Sequence, residues 1–157
     1  MKRNYHLYLG KAGHMMAVAE FLIRGWNVGI PEVDVGNDIF VVEDASGKLR
    51  RVQVKTSTST VRKNGFSGQF NVPLTQLREI RNPIHYVFVV RNKDHWTKPV
   101  IIRQDNLRDH FQNDNIGSEH NGFLNLYFSY TADKVECSGL DLSKYVSDFT
   151  DFPLIED

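Results

Sequence analysis

Cysteine is almost missing from this chain: Cys137 is the only one in 157 residues. That excludes an internal disulfide and any cysteine cluster for zinc. Long apolar runs are missing too. No stretch approaches the roughly 18 apolar residues of a membrane helix, and the opening Met-Lys-Arg-Asn-Tyr-His is not followed by the apolar segment of a secretion signal. The reading is a soluble, cytoplasmic protein. Net charge is absent as well, since 19 Lys and Arg balance 19 Asp and Glu.

Several kinds of chemistry lack their residues. The six histidines stand at 6, 14, 85, 95, 110 and 120, and none forms the i, i+4 pair around a glutamate that a zinc hydrolase helix uses. Gly10-Lys-Ala-Gly13 lacks the preceding strand, the glycine spacing and the Lys-Ser/Thr pair of a phosphate loop. No Gly-x-Ser-x-Gly elbow occurs, and Cys137 has no neighbouring histidine or asparagine that would make it a nucleophile.

What is present centres on the stretch from Asp38 to Thr56. Ile39 to Val42 is a β-branched and aromatic run, Asp44-Ala-Ser-Gly47 is a turn cluster, and Leu49 to Thr56 alternates apolar with polar residues. The pattern predicts a β-hairpin. Successive strand side chains point to opposite faces, so Arg51, Gln53 and Lys55 share one side while Val52 and Val54 share the other.

Around this hairpin the chain reads as follows. A helix over about 7–26 carries an apolar set at Ala12, Met15, Ala19, Leu22 and Trp26 as its expected buried face, and stops at Gly25. Glu20 is the only charged residue between Lys11 and Arg24; it reaches solvent, pairs with Arg24, or holds a cation. A short strand at 27–31 leads into the hairpin. After the turn Arg62-Lys-Asn-Gly65 come a strand at 66–72, a short helix at 74–80, and the most apolar run, His85 to Arg91, as a central strand with 98–103 beside it. A helix at 105–112, a polar loop at 113–122, a strand at 123–130, a last helix at 142–149 and an acidic tail that frays from 151 complete the order. The fold class is α/β, a central mixed β-sheet flanked by helices. One domain spans 1–157, with its core in 7–104 and a peripheral acidic part in 105–157.

Charge is uneven along the chain. Residues 1–104 carry 16 Lys and Arg against 8 Asp and Glu, a net of +8, whereas 105–157 carry 3 against 11, a net of −8. A basic front part permits a nucleic-acid surface; acidic elements packed beside basic strands would account for it equally. Hydrolysis of a phosphodiester needs a divalent ion to offset phosphate charge and activate water, and magnesium takes oxygen ligands for that purpose. Asp38, the side-chain carbonyl of Gln53, a backbone carbonyl near Val54 and Glu20 are suitable oxygens. Lys55, on the face of Gln53, is available to orient or deprotonate the water or to steady developing charge.

Glu20 on the first helix, Asp38 opening a strand, and Arg51-Val-Gln-Val-Lys-Thr56 after a hairpin together resemble the PD-(D/E)xK nuclease superfamily. The likeness is to the small prokaryotic branch near Holliday-junction resolvases and the PD-(D/E)xK intron homing endonuclease. It runs through Gly13 to Val28, Asp38 and Arg51 to Thr56, and covers about residues 7–72. Two positions depart from the pattern: Asn37 stands where the superfamily's name has proline, and Gln53 replaces an acid. Asp34 rivals Asp38, which is preferred because it abuts Ile39-Phe-Val-Val42.

The resemblance implies a restriction-endonuclease-like core and a Mg2+- or Mn2+-dependent DNA endonuclease. Its site would be Glu20, Asp38, Gln53 and Lys55, with the metal on Asp38, Gln53 and Glu20. Arg50, Arg51, Arg62 and Lys63 would hold the nucleic acid, and a homo-oligomer is expected. The alternative is a nuclease-like module that has lost cleavage and binds nucleic acid or a protein partner.

Overall fold

A computed structural model of the chain describes residues 4–33, 36 and 38–156. Helix α1 runs from Tyr5 to Ile23. It ends where the sequence demands: Gly25 takes φ +83°, a conformation that costs only glycine little. There its N–H donates to the Leu22 carbonyl (2.9 Å) and that of Trp26 to the Phe21 carbonyl (3.1 Å), closing the helix end and folding buried Trp26 back towards Phe21.

The buried face of α1 is not the expected one. Leu9, Gly13, Ala17 and Phe21 face inward, whereas Ala12, Met15, Ala19 and Leu22 face solvent. Both stripes repeat at helical spacing, so periodicity could not choose between them. Contact with the sheet does, because Gly13 and Ala17 let the helix backbone come close.

Strands β1 (Asn27–Gly29), β2 (Ile39–Glu43) and β3 (Lys48–Thr58) form an antiparallel run, with Ile39 opposite Val52 and Glu43 opposite Lys48. The chain then leaves this sheet through β4 (Thr60–Arg62), β5 (Gly65–Pro73) and α2 (Leu74–Arg78). It returns as β6 (His85–Asn92), parallel to β3 from Val52 opposite His85 to Thr58 opposite Arg91. On the far side of β6, β7 (His95–Trp96) and β8 (Val100–Arg103) pair antiparallel. The central sheet is thus mixed, with α1 on one face and α2 and α3 (Gln104–Asn113) contributing to the core on the other.

That other face is covered by a second sheet. Strands β9 (Ser118–His120), β10 (Phe123–Tyr130), β11 (Val135–Cys137) and β12 (Leu140–Asp141) join β4 and β5 in an antiparallel sheet. Phe70, Leu126 and Phe128 from this sheet meet Tyr86, Phe88 and Ile102 from the first in one apolar cluster. Ala17, Phe21 and Trp26 meet Val52, Val87 and Val89 in another.

The segment after 105, expected at the periphery, supplies Leu107, Leu124, Leu126 and Phe128 to the core. The expected helix at 142–149 is a single 3-10 turn, Ser143–Tyr145. Ser147 at φ +52° cannot continue a helix, and its N–H donates to the Pro99 carbonyl at 2.7 Å. Beyond it the chain docks rather than frays. Trp26 Nε1 donates to the Pro153 carbonyl (2.8 Å), Arg24 Nε to the Phe152 carbonyl (3.1 Å) and the Ile155 N–H to the Arg24 carbonyl (2.9 Å). The loop at 113–122 contains strand β9.

Asp151 ties the same segment to the sheet through His85 Nε2 at 2.7 Å and Arg50 at 3.7 Å. Burial pushes His85 below its ordinary value of 6.5, against the opposing pull of Asp151. The hydrogen bond from His85 holds the Asp151 carboxyl below the usual carboxylate range.

Two outcomes follow for stability. Phe128→Ala, between the two sheets, should cost about 3–5 kcal/mol in urea unfolding. A histidine whose folded pKa is lowered contributes stability that is complete above its unfolded value and lost as pH falls below it. The urea midpoint should therefore drop between about pH 7 and about pH 5, less steeply in His85→Gln; a flat midpoint in the parent would contradict this linkage.

Candidate functional site

Asp38 stands one residue before β2 and is held at both ends by β3. Its N–H donates to the Val52 carbonyl at 2.9 Å, and its Oδ2 accepts from the Val54 N–H at 2.7 Å. A carboxylate bonded to a backbone amide is well fixed. Here it lies against the peptide between Gln53 and Lys55. Hairpin register explains the placement: pairing of Ile39 with Val52 brings the preceding residue level with Gln53.

Strand alternation then divides the side chains of β3. Val52 and Val54 pack towards α1, and Thr56 meets the helix at Gly13. Gln53 and Lys55 take the other face with Ser57, whose Oγ accepts from the Gln69 N–H of β5 at 3.0 Å. Gln53 Oε1 is buried and accepts no hydrogen bond among the described residues. A buried amide oxygen without a donor costs roughly 1–3 kcal/mol, so its retention beside a carboxylate suits a proton donor or a hard cation. Both Asp38 and Lys55 are half-buried.

Glu20 is not brought to this group. It lines a narrow crevice with Met16, Phe21, Val87, Pro99 and Phe149, over β6 and the entry to β8. Arg24 does not pair with it either; the guanidinium sits 4.0 Å from the Phe149 ring centre and bonds Phe152. His14, which the sequence did not single out, flanks the opposite side of the Gly13–Ala17 stripe and senses the charge of Asp38. Six residues along a helix rotate a side chain by about 240°, which puts His14 and Glu20 on opposite edges. Burial, then Lys11, lowers the His14 pKa against the pull of Asp38, and its Nε2 is buried without a hydrogen bond.

Asp34 and Asn37 lie outside the described residues. Among the described residues no group of three or more His, Cys, Asp or Glu side chains could hold a metal ion. The oxygen donors that the site does offer are Asp38, the orphaned Gln53 Oε1 and neighbouring backbone carbonyls, a set that fits a hard divalent cation.

A cleft lies along β3 at each end of this group. The larger, about 390 Å³, begins at Thr56 and is lined by Ser57, Thr58, Arg62, Gln69 and Tyr127. The other, about 270 Å³, includes Gly36, Arg51, Gln76 and Arg81. Of the basic residues expected to face nucleic acid, Arg51 and Arg62 therefore line these clefts, and Arg50 with Arg51 lines another, of about 290 Å³. Arg62 Nε also donates to Ser67 Oγ at 3.0 Å, Lys63 is exposed in the turn after β4, and Arg50 is engaged by Asp151.

The closeness of α1 to this strand is testable. A Cβ added at Gly13 would clash with Thr56 Oγ1 and lie 2.9 Å from its Cγ2. Gly13→Ala should cost about 1–3 kcal/mol, and Thr56→Ala in the same chain should recover at least about 0.5 kcal/mol in a double-mutant cycle. Additive losses would show that the two residues do not press on each other.

No protein-family model matches the chain, and no curated protein does. Among solved structures it is similar to a bacterial homing endonuclease, I-Ssp6803I, at 17% identity and a TM-score of 0.49, over 80% of this chain and 79% of that one. No described helix is long and apolar enough to cross a membrane.

Proposed function

We propose that the protein is a metal-dependent DNA endonuclease of the PD-(D/E)xK type, hydrolysing phosphodiester bonds at Asp38, Gln53 and Lys55. The observation that carries this reading is the Asp38 carboxylate fixed on the Val54 amide beside an unbonded, buried Gln53 oxygen. Asp38 and Gln53 would hold Mg2+ or Mn2+, which when bound would offset phosphate charge and make a water more acidic. Asp38, anchored through its backbone and its carboxylate, keeps one negative oxygen pair in place without reorganisation. The Lys55 ammonium, two residues from Gln53 on the same face, would orient the attacking water or steady charge on the phosphate. Arg62, Lys63 and Arg51 would grip flanking phosphates, and polar clefts at both ends of the group suit an extended polyanion better than a small metabolite.

A second reading is a nuclease-like module that binds nucleic acid without cutting it. One observation favours it: among the described residues the site has a single carboxylate and no cluster of three metal-ligating side chains.

Incubating the protein with plasmid and with branched DNA separates the two. On the nuclease reading, nicking requires Mg2+ or Mn2+, stops with EDTA, and falls at least about 100-fold in Asp38→Ala and in Lys55→Ala, while Glu20→Ala stays near the parent. Calorimetric Mn2+ binding should likewise be lost in Asp38→Ala. Intact DNA together with salt-sensitive binding would leave the second reading standing.

A further inference from the structure

We infer that the larger cleft beside β3 is a pocket for one unpaired nucleotide of a DNA strand. The inference rests on the reading of the protein as acting on DNA, and adds to it a substrate with a base outside the duplex. The cleft, of about 390 Å³, begins at Thr56, the residue after Lys55, and is lined from β4, β5 and β10 as well as β3. That volume lies within the range of small-ligand sites, roughly 300–1,000 Å³, and exceeds what a phosphate group alone fills. None of the described residues lining it is Asp or Glu, and Arg62 supplies a positive charge. Arg62 Nε donates to Ser67 Oγ at 3.0 Å, which steadies the guanidinium and leaves its terminal nitrogens as donors for a phosphate.

The rest of the lining suits a base. Phe70 and Val72 of β5 and Leu126 and Phe128 of β10 enter the core, so alternation turns Gln69, Asn71 and Tyr127 to the other face. Gln69 stands directly opposite Tyr127. Tyr127 is 50% exposed, and its ring offers the kind of surface on which bases stack where single strands are bound. The amides of Gln69 and Asn71, both exposed, can each donate and accept, the combination a base edge requires. The recess decides between paired and unpaired DNA. Reading a duplex takes an element that projects into a groove, whereas these groups lie in a hollow to which α1, β3 and the second sheet all contribute. A base reaches them only by leaving the stack. Ser57, in the lining, is two residues from Lys55 on the same face of β3, a distance of about 7 Å, or about two nucleotide rises along a strand. The pocket thus takes a nucleotide close to the phosphate presented at the candidate catalytic group.

Binding without metal tests this apart from cleavage. In EDTA, fluorescence anisotropy compares a labelled hairpin duplex carrying a short unpaired tail with the same duplex blunt-ended. The tailed DNA should bind at least about 10-fold tighter, and Tyr127→Ala should remove at least about 5-fold of that preference while leaving blunt-duplex affinity unchanged. Tyr127→Phe, which keeps the ring, should stay near the parent. Affinity should differ among the four tail bases, and Gln69→Ala/Asn71→Ala should flatten those differences. All three side chains are exposed, so the variants should keep the parent's far-UV circular dichroism. Equal affinity for tailed and blunt DNA would overturn the inference, as would a Tyr127→Ala loss that is the same for both. A deoxynucleoside monophosphate that displaces the tail at micromolar concentration would overturn it too, by making this a free-nucleotide site. Metal-dependent nicking of plasmid with no preference for the tail sinks this inference alone, whereas absence of binding to any DNA sinks the endonuclease reading with it.

Discussion

Two strands that run in the same direction cannot be joined by a tight turn, and the pairing of β3 with β6 is of this kind. The chain must leave the sheet after Thr58 and come back at His85, and what it builds on the way is the start of the second sheet. β6 consequently has both faces covered, with Tyr86, Phe88 and Val90 in one apolar cluster and Val87 and Val89 in the other. This seam holds the three layers in place. It also steadies β3, one edge of which carries Asp38 while the other is paired along its length.

The candidate site follows from that arrangement. A strand fixed on both sides presents Gln53 and Lys55 at a set spacing, and the Asp38 carboxylate is tethered to the amide between them. Its electrostatics are modest, with one carboxylate, a neutral amide, an ammonium and a histidine whose pKa burial lowers. The basic front and acidic rear of the chain are not simply segregated either. Arg50 and His85 both meet Asp151, so part of the opposite charge is matched inside the fold.

Local rules carried much of this into the sequence. The hairpin was legible because a turn cluster between two β-rich runs sets the register, and with it the level of Asp38 against Gln53. Gly25 announced the end of α1, and the apolar run from His85 announced a doubly covered strand. What depends on distant partners was not legible. The rotation of α1 about its axis is set by contact with the sheet, so two equally spaced stripes read alike; the exposed one was taken for the core, and Glu20 was turned towards Asp38 where His14 stands. The second sheet escaped because β5 and β10 pair across a long stretch of sequence, with no local pattern joining them. The final segment spaces Leu142, Tyr145, Val146 and Phe149 as a helix would. Tyr145 and Phe149 instead enter separate apolar clusters.

The docking of Pro153 and Ile155 on the turn after α1 has a temporal side. The bonds from Arg24 and Trp26 reach partners 128 and 127 positions along the chain, and contacts of such separation form slowly because a large loop must close first. Helix α1 leaves the ribosome well before Phe152 does, so Trp26 and Phe21 gain its cover only after the intervening chain has been made. In the interval their rings lack that cover, which leaves apolar surface open to aggregation and to capture by chaperones.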